Sequence, residues 1–341
     1  MISLACADIP LKTYLNVFDC LRTSRIGRGK YVDRFEKLAS EYFGVKHALA
    51  VSSGTLADII MLSTLKEMHP GKTEVILPAF TFVAQANAVL WAGLKPVFVD
   101  EYHSIDELVN DNTLCYFPVH LLGLYGITNY KSDIPMIEDC CEAMGGNLEG
   151  RKFGTFGIAG AFSMYPSHTI TTGEGGLIIS DNDEFMAIAR SIHNHGKWNT
   201  QDFDFRYVGI NAKMTNLQAA LGCELVKRID KVNEARRKNV AIYNEYLGKS
   251  FFATSPHCYP IVCEDKKTRD HVLEVLSANG VEARKLMGCI PDYEPYIKRF
   301  GEQDFPFARK YANNGLFLPI HQQLTRNQIK YISNVVNFAR Q

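Results

Sequence analysis

AGAFSMYPSHTITTGEGGLIIS, residues 159–180, places two apolar runs around a polar loop. AGAFSMY and GLIIS are continuous in apolar residues, not alternating, which is the pattern of strands buried on both faces. Between them lie a hydroxyl, Ser163, an imidazole, His168, and a glycine-rich turn. Reading toward the N-terminus, further strands are expected at His47–Val51, in EVILPAF (ending at Pro78), KPVFVD, LCYFPVHLLG and IPMIEDC. Helical spacing marks YVDRFEKLASEYFG (31–44), where Val32, Phe35, Leu38, Tyr42 and Phe43 share one face. ADIIMLSTLKEM reads as a second helix, and AQANAVLWAG as a third ending at Gly93. Strands alternating with helices to about residue 180 predict an α/β fold with a mixed, mostly parallel sheet covered on both faces. TNLQAALGCELVKRIDKVNEARRKNVAIYNEYL, from Met214 to about Leu247, reads as one long connecting helix. A smaller α+β unit follows. The expected division is a large domain, 14–235, and a small one formed by 1–13 and 236–341.

Composition bounds the function. The chain has 341 residues, 46% of them hydrophobic, enough for a sizeable core without staples. Lys+Arg and Asp+Glu are each 37, so no overall basic field favours nucleic acid. No run approaches the ~20 apolar residues of a membrane span. Asp8 and Lys12 interrupt any leader-like stretch near Met1. Nine cysteines, with no CxxC or CxC, read as reduced thiols of a cytoplasmic protein, not as a disulfide scaffold or a metal site.

Three features besides the 159–180 loop carry chemistry. Ser52-Ser53-Gly54-Thr55 lies at a strand-to-helix turn, where backbone N–H groups and the helix dipole can cradle a phosphate; the same residues also serve as an ordinary cap. Ile137-Glu138-Asp139-Cys140-Cys141-Glu142 puts carboxylates at the C-terminal end of an apolar strand, the edge where open α/β sheets bind ligands. A carboxylate there pairs with a cationic ring nitrogen, holds a metal, or sits in a solvated loop, the last being a fair reading for Glu138 and a weaker one for Asp139. Gly209–Ala220 is a polar loop entering a helix capped by Thr215.

Together with PAFTFVAQANAVLWAGLKPVFVD (78–100), PVHLLG (118–123) and FLPIHQQLT (317–325), these motifs resemble the DegT/StrS-type sugar aminotransferases, pyridoxal phosphate enzymes of the aspartate-aminotransferase-like fold, fold type I. The resemblance implies that Gly54, Thr55 and Ser163 bind the cofactor phosphate and that Phe82 stacks on the pyridine ring. It gives Asp139 to the ring nitrogen and Glu142 to the ring hydroxyl. Asn211 is given to the phosphate of a neighbouring subunit, which implies a homodimer. A protonated ring nitrogen makes the cofactor an electron sink, and a buried carboxylate keeps it protonated.

One position departs from the family. The family's cofactor-tethering lysine stands five residues after Ser163, where this chain has His168, and imidazole supplies no primary amine. The next lysines along the chain, Lys152 and Lys197, lie in other segments. Tyr165-Pro166-Ser167-His168, followed by Thr172-Gly173-Glu174-Gly175-Gly176, is similar to the 3-dehydratases of the family, in which a histidine base works with pyridoxamine phosphate. Asn211-Ala212-Lys213 and the acidic Glu142 also look like that subgroup. His193-Asn194-His195-Gly196 looks more like the aminotransferases, and the chain is short for a dehydratase. The resemblance therefore implies C3 deoxygenation of a nucleotide-linked 4-keto-6-deoxy sugar in deoxysugar biosynthesis of the O-antigen type, with His168 as a base near neutral pKa. Cys258, Cys263 and Cys289 lack the grouping of an iron–sulfur site, so glutamate is expected to regenerate the amine. The alternatives are a sugar aminotransferase, or a non-catalytic relative that binds cofactor or sugar.

Overall fold

The computed structural model describes residues 1–100, 104–127, 130–199 and 203–340. In chain order the first elements are α1 (Leu11–Arg22), α2 (Lys30–Phe43), β1 (His47–Val51), α3 (Gly54–Met68), β2 (Glu74–Pro78), β3 (Phe80–Thr81), α4 (Val83–Trp91), β4 (Lys95–Val99) and β5 (Thr113–Tyr116). Then come β6 (Ile137–Asp139), the two-residue strands β7 (Asn147–Leu148) and β8 (Arg151–Lys152), β9 (Ala159–Ser163), β10 (Gly176–Ser180) and α5 (Asp183–Ile192). Helices α6 (Asn216–Leu225) and α7 (Ile229–Leu247) lead to β11 (Tyr259–Val262), α8 (Lys266–Ala278), β12 (Arg284–Lys285) and β13 (Gly288–Cys289). The chain closes with α9 (Glu294–Phe300), α10 (Pro306–Asn314), β14 (Gly315–Leu318) and α11 (Arg326–Ala339).

A three-stranded group, β4-β2-β5, and a four-stranded group, β6-β9-β10-β1, meet edge to edge. Parallel bridges Tyr116–Met136 and Val119–Asp139 join them. Pairing is parallel from β4 across to β9; only β10 runs against the rest, antiparallel to both β9 and β1. The apolar runs are explained by what covers the two faces. Leu49, Ala161 and Ile178 enter one core with Ile60, Leu77 and Phe185. Their chain neighbours Ala50, Phe162, Leu177 and Ile179 enter the opposite core with Phe35, Met214 and Cys223. Successive side chains point to opposite faces, so a sheet covered on both must be apolar at every position. Helix α2 ends at Gly44, whose φ of 71° is the left-handed C-cap conformation glycine adopts without strain.

A third core, from Val240 to Ala339, unites α7, α8, α11, β11 and β14. Cys289, Ile290, Tyr296, Phe305 and Ala308 pack instead into the first core, so the segment around α9 and α10 lies on the main sheet. No described helix is long and apolar enough to cross a membrane.

The structure corrects three sequence expectations. Strand–helix alternation stops after β4: among the described residues only a 3-10 turn, Ile105–Glu107, lies between β4 and β5, only another, Leu121–Gly123, between β5 and β6, and no helix between β6 and β10. The strand expected in LCYFPVHLLG is confined to Thr113–Tyr116. The long helix expected from Met214 is interrupted at Val226–Arg228, a 3-10 turn that separates α6 from α7. Its N-terminal half starts at a capping box made by Thr215 and Gln218.

With no flanking helices of its own, β6 is held by polar contacts. Glu138 is fully buried and accepts from the backbone N–H groups of Gly154 at 2.8 Å, Phe156 at 2.6 Å and Gly157 at 2.7 Å. His120 Nε2 lies 3.0 Å from the same carboxylate, while its Nδ1 accepts from Gly126 N–H, so Nε2 carries the hydrogen and donates. The His120 ring stacks on Phe153 at 4.3 Å. This corrects the solvated-loop reading of Glu138.

Glu138→Gln puts an amide donor against groups that are all donors. A buried N–H left without an acceptor costs about 1–3 kcal/mol. Urea denaturation is expected to show a loss of about 2–4 kcal/mol for Glu138→Gln and no more than about 0.5 kcal/mol for Glu234→Gln, which removes only an exposed pair with Lys238 on α7.

Candidate active site

A cavity of about 490 Å³ opens at the C-terminal ends of β6 and β9. Gly54, Thr55, Phe82, Asp139, Glu142, Ser163 and His168 all line it, so seven of the residues singled out in the sequence meet at one place. Asn211 does not line it; its side chain is exposed, and its backbone bridges to Asn194. Ala212 beside it accepts from Ser52 N–H at 2.8 Å, so this loop packs against the turn that enters α3.

The turn is built for close approach. Ser53 caps α3 by accepting from Leu56 N–H, leaving the first-turn amides of Gly54 and Thr55 at the cavity wall. A Cβ on Gly54 would lie 2.8 Å from both Cys141 Sγ and Ser163 Cβ, so no larger residue fits. Phe82, the cap residue of α4, is 54% exposed and presents its ring to the opening.

The acidic wall is nearly dry. Asp139 Oδ1 accepts from Cys141 N–H at 3.0 Å, and burial pushes its carboxyl above the ordinary value. Glu142 accepts from Leu122 N–H at 2.8 Å, and burial raises it to about 7. Asp58, which the sequence reading passed over, also lines the cavity; its only signal was a carboxylate inside the apolar helix pattern of α3.

The opposite wall is basic and was only partly visible in the sequence. The rings of His168 and His257 stand 5.1 Å apart, and His257 Nε2 is 3.8 Å from Glu142 Oε1. Arg236, on α7, is 3% exposed and donates to the backbone carbonyls of His168 at 2.9 Å and Pro256 at 3.4 Å. Although the His168 side chain is only half-buried by area, its Nδ1 is fully buried and without a partner. Burial and then the Arg236 charge push the imidazole down to about 3, so the expected base near neutrality is corrected: His168 is a neutral ring across the physiological range. The same causes, with His168 itself, lower His257. Arg284 and Lys285, on β12, complete the rim. Lys285 corrects the reading that no lysine is at hand; it lies 3.7 Å from Asp270 and is brought in by the fold from 117 positions along the chain after His168.

These residues fit pyridoxal phosphate. The α3 amides and Ser163 offer donors for a phosphate, Asp139 offers a carboxylate for a pyridinium nitrogen, Phe82 offers a ring face, and Gly54 leaves the room. A metal fits less well. His120, Glu138 and Cys140 bring possible ligand atoms within 4.8 Å of one another, but the Glu138 oxygens are already taken by three N–H groups and His120. All nine cysteines are free thiols.

The model of the DegT/DnrJ/EryC1/StrS aminotransferase family matches residues 11–337. GDP-perosamine synthase of Caulobacter vibrioides is 32% identical, covering 92% of this chain and 91% of that protein. GDP-4-keto-6-deoxy-D-mannose 3-dehydratase of Yersinia pseudotuberculosis is 29% identical over 90% of this chain and 91% of its own length. A structure of GDP-4-keto-6-deoxymannose-3-dehydratase, a histidine-to-asparagine mutant with bound GDP-perosamine, superposes with a TM-score of 0.89 at 26% identity, covering 98% of this chain and all of that one. Another structure of a 3-dehydratase of this name, with the same score and identity, contains a trapped PLP-glutamate geminal diamine. With its mostly parallel sheet, its cavity at the strand ends and this match over nearly its whole length, the chain belongs to the DegT/DnrJ/EryC1/StrS aminotransferase family of pyridoxal-phosphate-dependent, fold type I enzymes.

Proposed function

We propose that this protein is a 3-dehydratase of a nucleotide-linked 4-keto-6-deoxy sugar, working with pyridoxamine phosphate that glutamate regenerates. The observation that carries the reading is His168: the cavity holds an imidazole where the family's tethering lysine is expected, lined up with the phosphate turn, Asp139 and Glu142. When bound, the cofactor supplies an amine for the ketone and an electron sink for the departing C3 hydroxyl.

The chain's own groups do the rest. Gly54, Thr55 and Ser163 hold the phosphate, Phe82 covers the ring and Asp139 faces its nitrogen. Glu142, neutral below about pH 7, donates toward the ring hydroxyl. His168 is neutral and its Nδ1 makes no hydrogen bond, so it has a lone pair available for a proton. Burial first, and then the Arg236 charge, keep its basicity low; the negative phosphates brought by cofactor and substrate offset the second of these and raise it. Arg284 and Lys285 at the rim match a nucleoside diphosphate in sign. Asn211 stands outside its own chain's cavity, as a residue serving a neighbouring subunit would. Leu11, Leu15, Phe18 and Leu21 on α1 leave an apolar face exposed, consistent with a homodimer.

A second reading is an aminotransferase making a 4-amino sugar. Perosamine synthases among the relatives favour it, as does Lys285 at the rim.

Incubating the keto sugar with pyridoxamine phosphate and glutamate decides between them. The dehydratase is expected to release a 3-deoxy-4-keto sugar and ammonia, identified by mass and NMR; a 4-amino sugar as main product supports the second reading. His168→Asn is expected to bind cofactor normally and to slow single-turnover sugar consumption by about 10²–10⁴-fold, the usual cost of removing a positioned base.

Borohydride reduction of protein loaded with pyridoxal phosphate is expected to leave no pyridoxyl-lysine. A modified peptide containing Lys285 assigns that residue as the tether and removes the basis of the dehydratase reading.

Glu142 also makes stability depend on pH. Its proton is held to about 7 in the fold against 4.5 ordinarily, so between these values the fold binds more protons than the unfolded chain. That contribution is complete below pH 4.5 and is lost as pH rises through 7. Denaturation of cofactor-free protein is expected to show wild type losing about 2 kcal/mol or more between pH 5 and 8 relative to Glu142→Gln, which cannot titrate.

A further inference from the structure

Asp58 is a carboxylate with no assigned task. It lies in α3, one turn after the phosphate-cradle residues, and its side chain reaches the cavity floor at 1% exposure. Its Oδ1 is buried without any hydrogen-bond partner. Possible ligand atoms of Asp58, Asp139 and Cys141 all lie within 4.8 Å of one another. No basic side chain forms an ion pair with either aspartate among the described residues. The other titratable groups around the pair are the thiols Cys140 and Cys141, the carboxyl of Glu142, and His120, which acts on Asp139 from the far side of β6.

Two carboxylates this close in a dry wall cannot both be ionised at modest cost. The proton's place follows from the donors. Asp139 has the Cys141 N–H to stabilise a charge, whereas Asp58 Oδ1 has nothing. We propose that Asp58 and Asp139 share one proton, Asp58 as the neutral acid and Asp139 as the carboxylate, and that this pair governs the protonation of the cofactor's ring nitrogen.

The second clause rests on the placement of Asp139 opposite that nitrogen, as in the function proposed above. A pair with one proton carries one negative charge, which matches one pyridinium. As pH rises the Asp58 proton leaves, a second negative charge appears beside the ring, and the nitrogen keeps its proton to higher pH. Burial and the Asp139 charge both hold the Asp58 proton in place, in agreement with this assignment. The pair thus extends the alkaline range over which the cofactor remains an electron sink.

The first test needs no cofactor. Infrared difference spectra of wild type minus Asp58→Asn near neutral pH are expected to show the C=O band of a protonated carboxylic acid, shifting on exchange into heavy water. In Asp139→Asn the neighbouring charge is gone, and the Asp58 band is expected to titrate away at least about one pH unit lower. Absence of the band in wild type, or a titration that Asp139→Asn leaves unmoved, overturns the shared proton.

The second test follows the absorbance of bound pyridoxal phosphate against pH. Asp58→Asn keeps the shape of the neutral acid but cannot acquire charge, so the ring-nitrogen transition is expected to fall by about one unit, a tenfold loss of proton affinity. An unmoved transition with the infrared band present overturns the control of the ring and leaves the pair. If wild type binds no pyridoxal phosphate, the cofactor placement fails while the infrared result stands or falls by itself.

Discussion

A buried carboxylate saturated by donors, Glu138, fixes the part of the sheet on which everything else depends. β6 is three residues long and has no described crossover helix on either side. A strand so short gains little from ladder bonds or apolar burial. Three N–H groups from the segment after β8, together with His120 from the segment after β5, converge on Glu138 and tie the neighbouring connections to the strand. The next residue is Asp139. Its N–H and C=O both bond to the segment after β5, at Pro118 and His120, which fixes the register, and its side chain points to the face opposite Glu138, into the cavity. Side chains alternate along a strand, so a clamp on one face sets the chemistry on the other.

The cavity then divides by charge type. Asp58, Asp139 and Glu142 form one wall and His168 and His257 the other, with Arg236 buried behind, and burial drives the acids up and the imidazoles down. Both movements oppose charge. Arg236, behind the imidazoles, resists: burial lowers it only to about 10, so it keeps its charge near pH 7. With Arg284 and Lys285 at the rim it matches anionic phosphates in sign.

Much of this was legible in the chain. β1, β2, β4, β9 and β10 could be read because continuous apolar runs bounded by glycine, proline or polar turns leave few alternatives. The motif residues could be placed because Asp139 and Ser163 end their strands and Gly54 and His168 lie within five residues of a strand end, and strand ends of one sheet lie side by side. His257, Arg236 and Lys285 could not be placed. They come from α7, the segment before β11, and β12, and nothing local in HCYP, ARRK or ARKL marks a residue that will reach across to the sheet. Asp58 was hidden differently: one carboxylate in an apolar helix looks like an exposed face until the helix is seen buried on every side. The break at Val226–Arg228 carries neither proline nor glycine, so tertiary packing, not propensity, interrupts the helix there.

Arg236 has a mechanical meaning too. One guanidinium grips the carbonyl of His168, in the loop after β9, and that of Pro256, in the segment before β11. It works as a staple. Two segments 88 positions apart in the chain share one buried cation, so neither backbone can shift without stretching a bond to the other. The position of the imidazole is therefore set from behind, by a helix that does not carry it.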